Sequence, residues 1–373
     1  MIRIKLTSIL EKMKLLKFEY REQGWHLNFA QFAEQILLVG VNASGKSKTI
    51  KALAKVGALV SQRTEFSTYD NLYTLLVFRI ENGLLQYKFS VADGLVESEK
   101  LVYISDASVE KVIIDRDRTR SKLLDEIINP PSNKLVVNVR RDTQLYPEME
   151  HLQIWAENIF GFSFNETDMY GDSRNESWFY GYKKRLNDIV LDMEKHKDIK
   201  EEFYSNLRSI DYNITKIKAL DLGSDKKVYV EEAGLKYPLF DVNMSKGMFR
   251  AIYVIAYLLY FKRNKLGQPA MLLVDDLCEG LDYNRSTKLG KLCYTLCEEL
   301  GIQLMASSND SFLMDVVDLK YWNILHREGS KVEVINASNN ADLFDCFEST
   351  GLTNFDLFSS DFIARYKQKQ DKK

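Results

Sequence analysis

Two short stretches near the start of the chain approach an every-second-residue apolar pattern. They are Lys14-Leu15-Leu16-Lys17-Phe18-Glu19-Tyr20 and Trp25-His26-Leu27-Asn28-Phe29, and both predict strands. Ile36-Leu37-Leu38-Val39 is continuously apolar, the pattern of a strand buried on both faces. The period then changes. Between Lys48 and about Val60, residues Ile50, Leu53, Val56 and Val60 recur near helical spacing and predict one core-facing stripe. From about Leu72 to Arg120 the β pattern returns in Tyr73–Ile80, Leu84–Val91, Lys100–Ile104 and Val109–Asp115. Breaks at Glu81-Asn82-Gly83 and Ala92-Asp93-Gly94 predict an antiparallel meander, not a βαβ repeat. After a turn at Pro130-Pro131, Lys134–Val139 reads as a strand ending in Arg140-Arg141-Asp142. A structural Arg-Asp ion pair is expected there, with phosphate sensing as the alternative.

Residues 148–218 read as mainly helical, with Leu186, Ile189, Val190 and Met193 at i, i+3, i+4 and i+7. The charged runs Lys195-His196-Lys197-Asp198 and Lys200-Glu201-Glu202 predict a solvated helical arm, with a nucleic-acid contact as the alternative. Trp178, Phe179, Tyr180 and Tyr182, followed by Lys183-Lys184-Arg185, fit packing of that arm on its base or stacking on bases; packing is the expectation. Strands follow at Lys227–Glu231 and Lys236–Phe240, then a helix with Ile252, Ile255, Leu258 and Leu259 inward. Met271-Leu272-Leu273-Val274 is a buried strand. A helix with Leu289, Leu292, Cys293, Leu296 and Leu300 on one face leads to a second buried strand, Ile302–Ala306. Trp322–Leu325 and Lys331–Val334 form a hairpin, the stretch to about Ala364 reads as helical, and Lys367–Lys373 is a charged tail expected to fray. The division is therefore 1–147, 148–220 and 221–373.

Chemistry concentrates where these elements end. Gly40-Val41-Asn42-Ala43-Ser44-Gly45-Lys46-Ser47 is a G-x-x-x-x-G-K-S loop between a strand and a helix. Small residues let backbone N–H groups curl around a triphosphate, and the helix start adds positive potential. Gly40, Asn42, Ala43, Ser44, Gly45 and Lys48 are thus expected to hold nucleotide, Lys46 to reach the β- and γ-phosphates, and the Ser47 hydroxyl to ligate Mg²⁺. Asp275-Asp276 at a buried strand end suits Mg²⁺ binding and water activation: Asp275 takes the metal and Asp276 polarises the attacking water. Ser245, taken alone, is an ordinary helix N-cap.

Composition removes some alternatives. The 373 residues are 45% apolar with net charge −2, so the chain can bury one large core or two moderate ones and has no global pull toward nucleic acid or membrane; a local basic patch stays open. Cys278, Cys293, Cys297 and Cys346 lack CxxC pairing and read as packed or free thiols in a reducing cytosol. No signal peptide is recognisable, and Ala251 to Phe261, the longest apolar stretch, is too short for a bilayer; a cytoplasmic protein is expected.

In sum the order of elements resembles the ATP-binding-cassette (ABC) type of ATPase head, in the branch holding the SMC and RecF families and the overcoming-lysogenization-defect (OLD) group. The resemblance spans nearly the whole chain: phosphate loop, β meander, helical insertion, Ser245-Lys246-Gly247, Asp275-Asp276, Gly280-Leu281-Asp282 and Asn309. It implies an α/β P-loop NTPase of ABC-ATPase type, a mixed central sheet with an antiparallel β subdomain and a helical insertion. It also implies a homodimer or higher even-numbered oligomer trapping ATP and Mg²⁺ between copies. Ser245 and Gly247 of one copy would touch the γ-phosphate held by Lys46 of the other, and Asp282 would cross the interface. Gln144 is the candidate for the Mg²⁺-sensing loop. This sequence departs from the pattern at Asp276, where Glu is usual, at Asn309, where His is usual, and at Lys246 and Met248; slow hydrolysis, or help from Glu279, follows. The text Arg141-Asp142…Tyr146-Pro147 and the Ser-Asn-Asp strand end look similar to anti-phage defence ATPases. With no TOPRIM-like acidic triad or His cluster after the ATPase motifs, the expected role is a dimerising ATPase switch controlling a separate effector, a nuclease. A nucleotide-gated scaffold and a DNA-repair ATPase that binds DNA through the arm are the alternatives.

Overall fold

The apolar run Ile36–Val39 forms β3, hydrogen-bonded in parallel to Gln303–Ser307 (β15) on one side and Trp322–Glu328 (β16) on the other. Ile36 and Leu38 join one apolar cluster and Leu37 and Val39 another, as period-two alternation requires of a strand covered on both faces. The structure is a computed structural model and describes residues 13–163, 186–221, 226–264, 270–363 and 365–366. In chain order the strands are β1 (Lys14–Glu22), β2 (Trp25–Gln31), β3, β4 (Leu72–Ile80), β5 (Gly83–Ala92), β6 (Leu95–Ser105), β7 (Glu110–Arg116), β8 (Ser121–Leu123) and β9 (Glu126–Ile127). The rest are β10 (Ile159–Ser163), β11 (Ile214–Asp221), β12 (Lys226–Glu232), β13 (Leu239–Phe240), β14 (Met271–Asp275), β15, β16 and β17 (Lys331–Ile335).

One 14-stranded sheet runs β10-β14-β15-β3-β16-β17-β2-β1-β4-β5-β6-β7-β8-β9, and β11-β12-β13 make a separate small sheet. Its first five strands are parallel, and β1 with β4 to β9 continues it as the expected antiparallel meander. Helix α1 (Lys46–Val60) leaves the phosphate loop and packs on the Ile36/Leu38 face. Gly57 lets it approach β10: a Cβ there would lie 2.4 Å from Ile159 Cδ1. No helix among the described residues is long and apolar enough to cross a membrane. All four cysteines are free thiols, Cys346 alone exposed.

Several expectations change. Lys134–Val139 is not a strand: Val136–Val139 is a one-turn helix, α2. The buried Glu99 carboxylate accepts the Val136 and Val137 amide protons, at 2.5 and 3.2 Å, so those donors are withdrawn from any ladder. Arg141 pairs not with Asp142 but with Glu150 and Glu157 on α3 (Pro147–Glu157), while Asp142 accepts the amides of Gln144 and Leu145. The segment 148–218 contains β10, a parallel neighbour of β14, and most of β11. Its described helices, α4 (Leu186–Met193) and α5 (Lys197–Ser209), do not stand away as an arm. Their apolar faces join the Leu37/Val39 cluster against α6 (Lys246–Asn264), because Leu186, Ile189, Val190, Phe203 and Leu207 have more to gain from burial than the charged faces lose. Trp178 to Arg185 and the tail after Tyr366 lie outside the described residues.

Candidate functional site

Between β3 and α1 the loop Gly40–Ser47 adopts the backbone its small residues allow. Gly45 has φ 110° and Ala43 φ 65°. A Cβ at Gly40 would lie 2.4 Å from Ser44 Oγ and 3.0 Å from the Leu325 carbonyl, so only glycine turns the chain there. Lys46 is buried, and its ammonium donates to the Gly40 and Val41 carbonyls at 2.6 and 3.3 Å. Burial lowers its pKa, while the Asp276 and Asp275 charges act to raise it. Ser44 Oγ is buried in this cradle and has no hydrogen-bond partner among the described residues, an acceptor or donor left for a ligand.

Parallel pairing brings the carboxyl ends of β14 and β15 beside the end of β3, the edge where ligands of open α/β sheets bind. Asp275 closes β14, and its Oδ1 accepts from Ser47 Oγ at 3.0 Å and Ser307 Oγ at 2.5 Å. A carboxylate and a hydroxyl meeting so closely are hard oxygen donors of the kind Mg²⁺ prefers, and Mg²⁺ commonly takes few protein ligands because phosphates supply others. Asp276, held by its amide on Ser307 Oγ at 2.9 Å, has its pKa pushed up to about 6 by burial first, then by the charges of Asp275 and Glu279, with Arg250 and Lys46 opposing. Glu279 pairs with Arg250 at 3.3 Å and is itself exposed.

These groups border a cleft of about 740 Å³. Asn42, Ala43, Ser44, Gly45, Lys46, Ser47 and Lys48 line it together with Asp276 and Asn309; Asn309 Nδ2 donates to Asn42 Oδ1 at 3.2 Å. Gln144 does not line it: the residue is exposed, its amide tied to Asp142. Ser245, Gly247 and Asp282 are also elsewhere. Ser245 Oγ caps α6 by accepting the Met248 amide at 3.2 Å. Asp282 caps α7 (Tyr283–Glu299), and the Arg285 amide it accepts holds its carboxyl below the usual range. Tyr20, Glu22, Trp25, Lys51, Lys55 and Arg327 also line the cleft and were not singled out by sequence. Lys51 and Lys55 were foreseeable from helical spacing beyond Lys48; the others come from strands remote in the chain.

No protein-family model matches the chain, and no curated protein matches it. Solved structures do. The Smc head bound to the C-winged helix domain of ScpA aligns at TM-score 0.52 and 14% identity, covering 88% of this chain and 99% of that one. An Smc head domain with an extended coiled coil, bound to the C-terminal domain of ScpA and derived from Pyrococcus furiosus, aligns at 0.50 and 11%, covering 90% and 100%. With the mixed sheet and the small antiparallel sheet, this likeness gives the fold: an α/β P-loop fold of the kind seen in Smc head domains.

Proposed function

We propose that this chain is a Mg²⁺-dependent ATP-binding and hydrolysing switch that closes with a second copy around the nucleotide. The observation that carries the reading is Ser47 Oγ 3.0 Å from Asp275 Oδ1, two residues 228 apart in sequence brought to one strand edge beneath a glycine-turned loop. The loop amides and Lys46 bind the phosphates; Ser47 and Asp275 hold Mg²⁺, which neutralises phosphate charge when bound. Asp276 orients a water for in-line attack and accepts its proton. Asn309, bridged to Asn42, holds the γ-phosphate end by hydrogen bonding alone. Ser245, Gly247 and Asp282, which no single copy brings to its own cleft, face the partner's nucleotide in an isologous dimer.

The same reading extends to an OLD-like role in anti-phage defence, with the switch controlling a separate effector, a nuclease. Its supports are the order of motifs, the Arg141-Asp142…Tyr146-Pro147 text, and the Smc heads, solved with a domain of another protein bound. Asp276 and Asn309 favour a second reading, a nucleotide-gated scaffold that barely hydrolyses ATP. Direct DNA contact would fall to Lys183, Lys184 and Arg185, and neutralising them would abolish salt-dependent DNA binding. Phosphate release by wild type, Lys46→Ala and Asp275→Ala, with ATP-dependent mass of Ser245→Arg by light scattering, tests the switch. Wild-type turnover at the Lys46→Ala level favours the scaffold. Normal ATP-driven dimerisation of Ser245→Arg overturns the facing-site arrangement.

A further inference from the structure

The wall of the cleft on the β16 side is a hairpin with an unassigned arginine. Strands β16 and β17 pair Arg327 with Val332 and Glu328 with Lys331, leaving Gly329-Ser330 as a two-residue turn in which Gly329 has φ 60°. This hairpin meets the phosphate loop at three points. The Leu325 carbonyl lies 3.0 Å from where a Gly40 Cβ would be, Val332 Cγ2 lies 3.3 Å from where a Gly45 Cβ would be, and Arg327 Nη1 donates to the Ala43 carbonyl at 3.1 Å. Arg327 Nε donates to Gly329 O at 2.8 Å, so the guanidinium ties the hairpin tip to the apex of the loop at a left-handed residue. Ser330 O in turn accepts the His26 amide at 2.9 Å, fixing the turn to β2.

A guanidinium carries five N–H donors in a plane, and these two bonds use two of them. The side chain is exposed and lines the cleft beside the amides that would cradle a polyphosphate. Neither carbonyl partner neutralises its charge, and oxyanions of phosphate are the ligands a guanidinium recognises best. Resting on the nucleotide-binding reading, we propose that Arg327 is a phosphate ligand of the bound nucleotide, supplied in cis by the β16–β17 hairpin. Its bond to Ala43 makes the hairpin and the phosphate loop order together when nucleotide enters.

The test is nucleotide affinity with a fluorescent ATP analogue and Mg²⁺, for wild type, Arg327→Gln, Arg327→Lys and Lys46→Ala. Arg327→Gln is expected to weaken binding about tenfold, equivalent to about 1.4 kcal/mol. Arg327→Lys keeps the charge but not the planar fork, so it should fall between wild type and Arg327→Gln. Lys46→Ala binding as tightly as wild type would sink the nucleotide reading itself. Lys46→Ala losing binding while Arg327→Gln stays within twofold of wild type would overturn the role of Arg327 alone. Hydrogen exchange in wild type needs no variant to fold: the amides of residues 326–331 should slow on adding ATP, and unchanged exchange in a protein shown to bind ATP refutes the proposal.

Discussion

Replacing Glu99 by Gln, and following stability against pH, tests how the meander is tied to the phosphate-loop helix. Glu99 is wholly buried on β6; it accepts the Tyr87 hydroxyl at 3.0 Å as well as the Val136 and Val137 amides, with Arg116 Nη1 3.9 Å away. Burial raises its pKa from 4.5 to about 6, against the lowering effect of those four partners. A raised folded-state pKa makes its contribution fully present below pH 4.5 and lost as pH climbs through 6. At 1.36 kcal/mol per unit, the loss amounts to about 2 kcal/mol by pH 8. Glu99→Gln abolishes this titration but turns an amide N–H₂ toward a backbone donor, a mismatch costing about 1–3 kcal/mol. Wild type should therefore exceed the variant by most below pH 4.5, and the gap should narrow by about 2 kcal/mol between there and pH 8. Denaturant midpoints at matched m-values measure it. A gap independent of pH would refute the assignment of the proton to Glu99. The consequence reaches the site, because the turn Glu99 holds also receives Gln153 Nε2 at Val137 O, and its Asn138 donates to Leu59 O near the end of α1.

Asp276→Asn should lower turnover at least about 100-fold with ATP binding retained, the scale of a lost general base, while Asp276→Glu should raise it; phosphate release decides both, and an active Asn variant removes Asp276 from the chemistry. Gly247→Ala would place a Cβ 2.8 Å from Gly280 O and 2.6 Å from Leu281 Cδ2. Because backbone must move to relieve the first contact, a loss of about 1–3 kcal/mol is expected in thermal unfolding, and wild-type stability would show that the loop yields freely.

The parts of this fold legible in the sequence are those whose spacing is enforced by local backbone. Gly40, Gly45, Lys46 and Ser47 must follow one another as they do for the loop to close, and Asp275 must end its strand to reach Ser47. Other parts depend on partners far along the chain. Val136–Val139 has the β-branched text of a strand but turns helical because Glu99, on another strand, takes its amides. Ile159–Ser163 is too short and too apolar to be told from a helix segment, and its identity comes from β14 beside it. Gln144 is a candidate for the Mg²⁺-sensing loop only through the family resemblance; in the fold Asp142 organises that turn. Arg327 carries no local signature, since its contact with Ala43 joins residues 284 apart.

The loop after Asp275 joins Asp276, Asn309 and Ser245 into one mechanical unit. Asp276 and Cys278 hold φ of 55° and 72°, a left-handed conformation that costs non-glycine residues about 1–3 kcal/mol each. Such backbone persists only where its surroundings over-determine it, and they do so here from two elements. From the end of β15 and the residue after it, Ser307 Oγ accepts the Asp276 amide, Ser307 O accepts the Leu277 amide at 2.9 Å, and Ser308 Oγ donates to Leu277 O at 3.2 Å. From α6, the buried Arg250 donates to Glu279 O and to its carboxylate, while Gly247 lies flush against Leu281. Asn309 follows directly on the β15 anchors, and Ser245 directly precedes α6. On the proposed function, force applied at either end of this arrangement, by a phosphate at Asn309 or by a facing copy at Ser245, would be delivered to the backbone that carries Asp276.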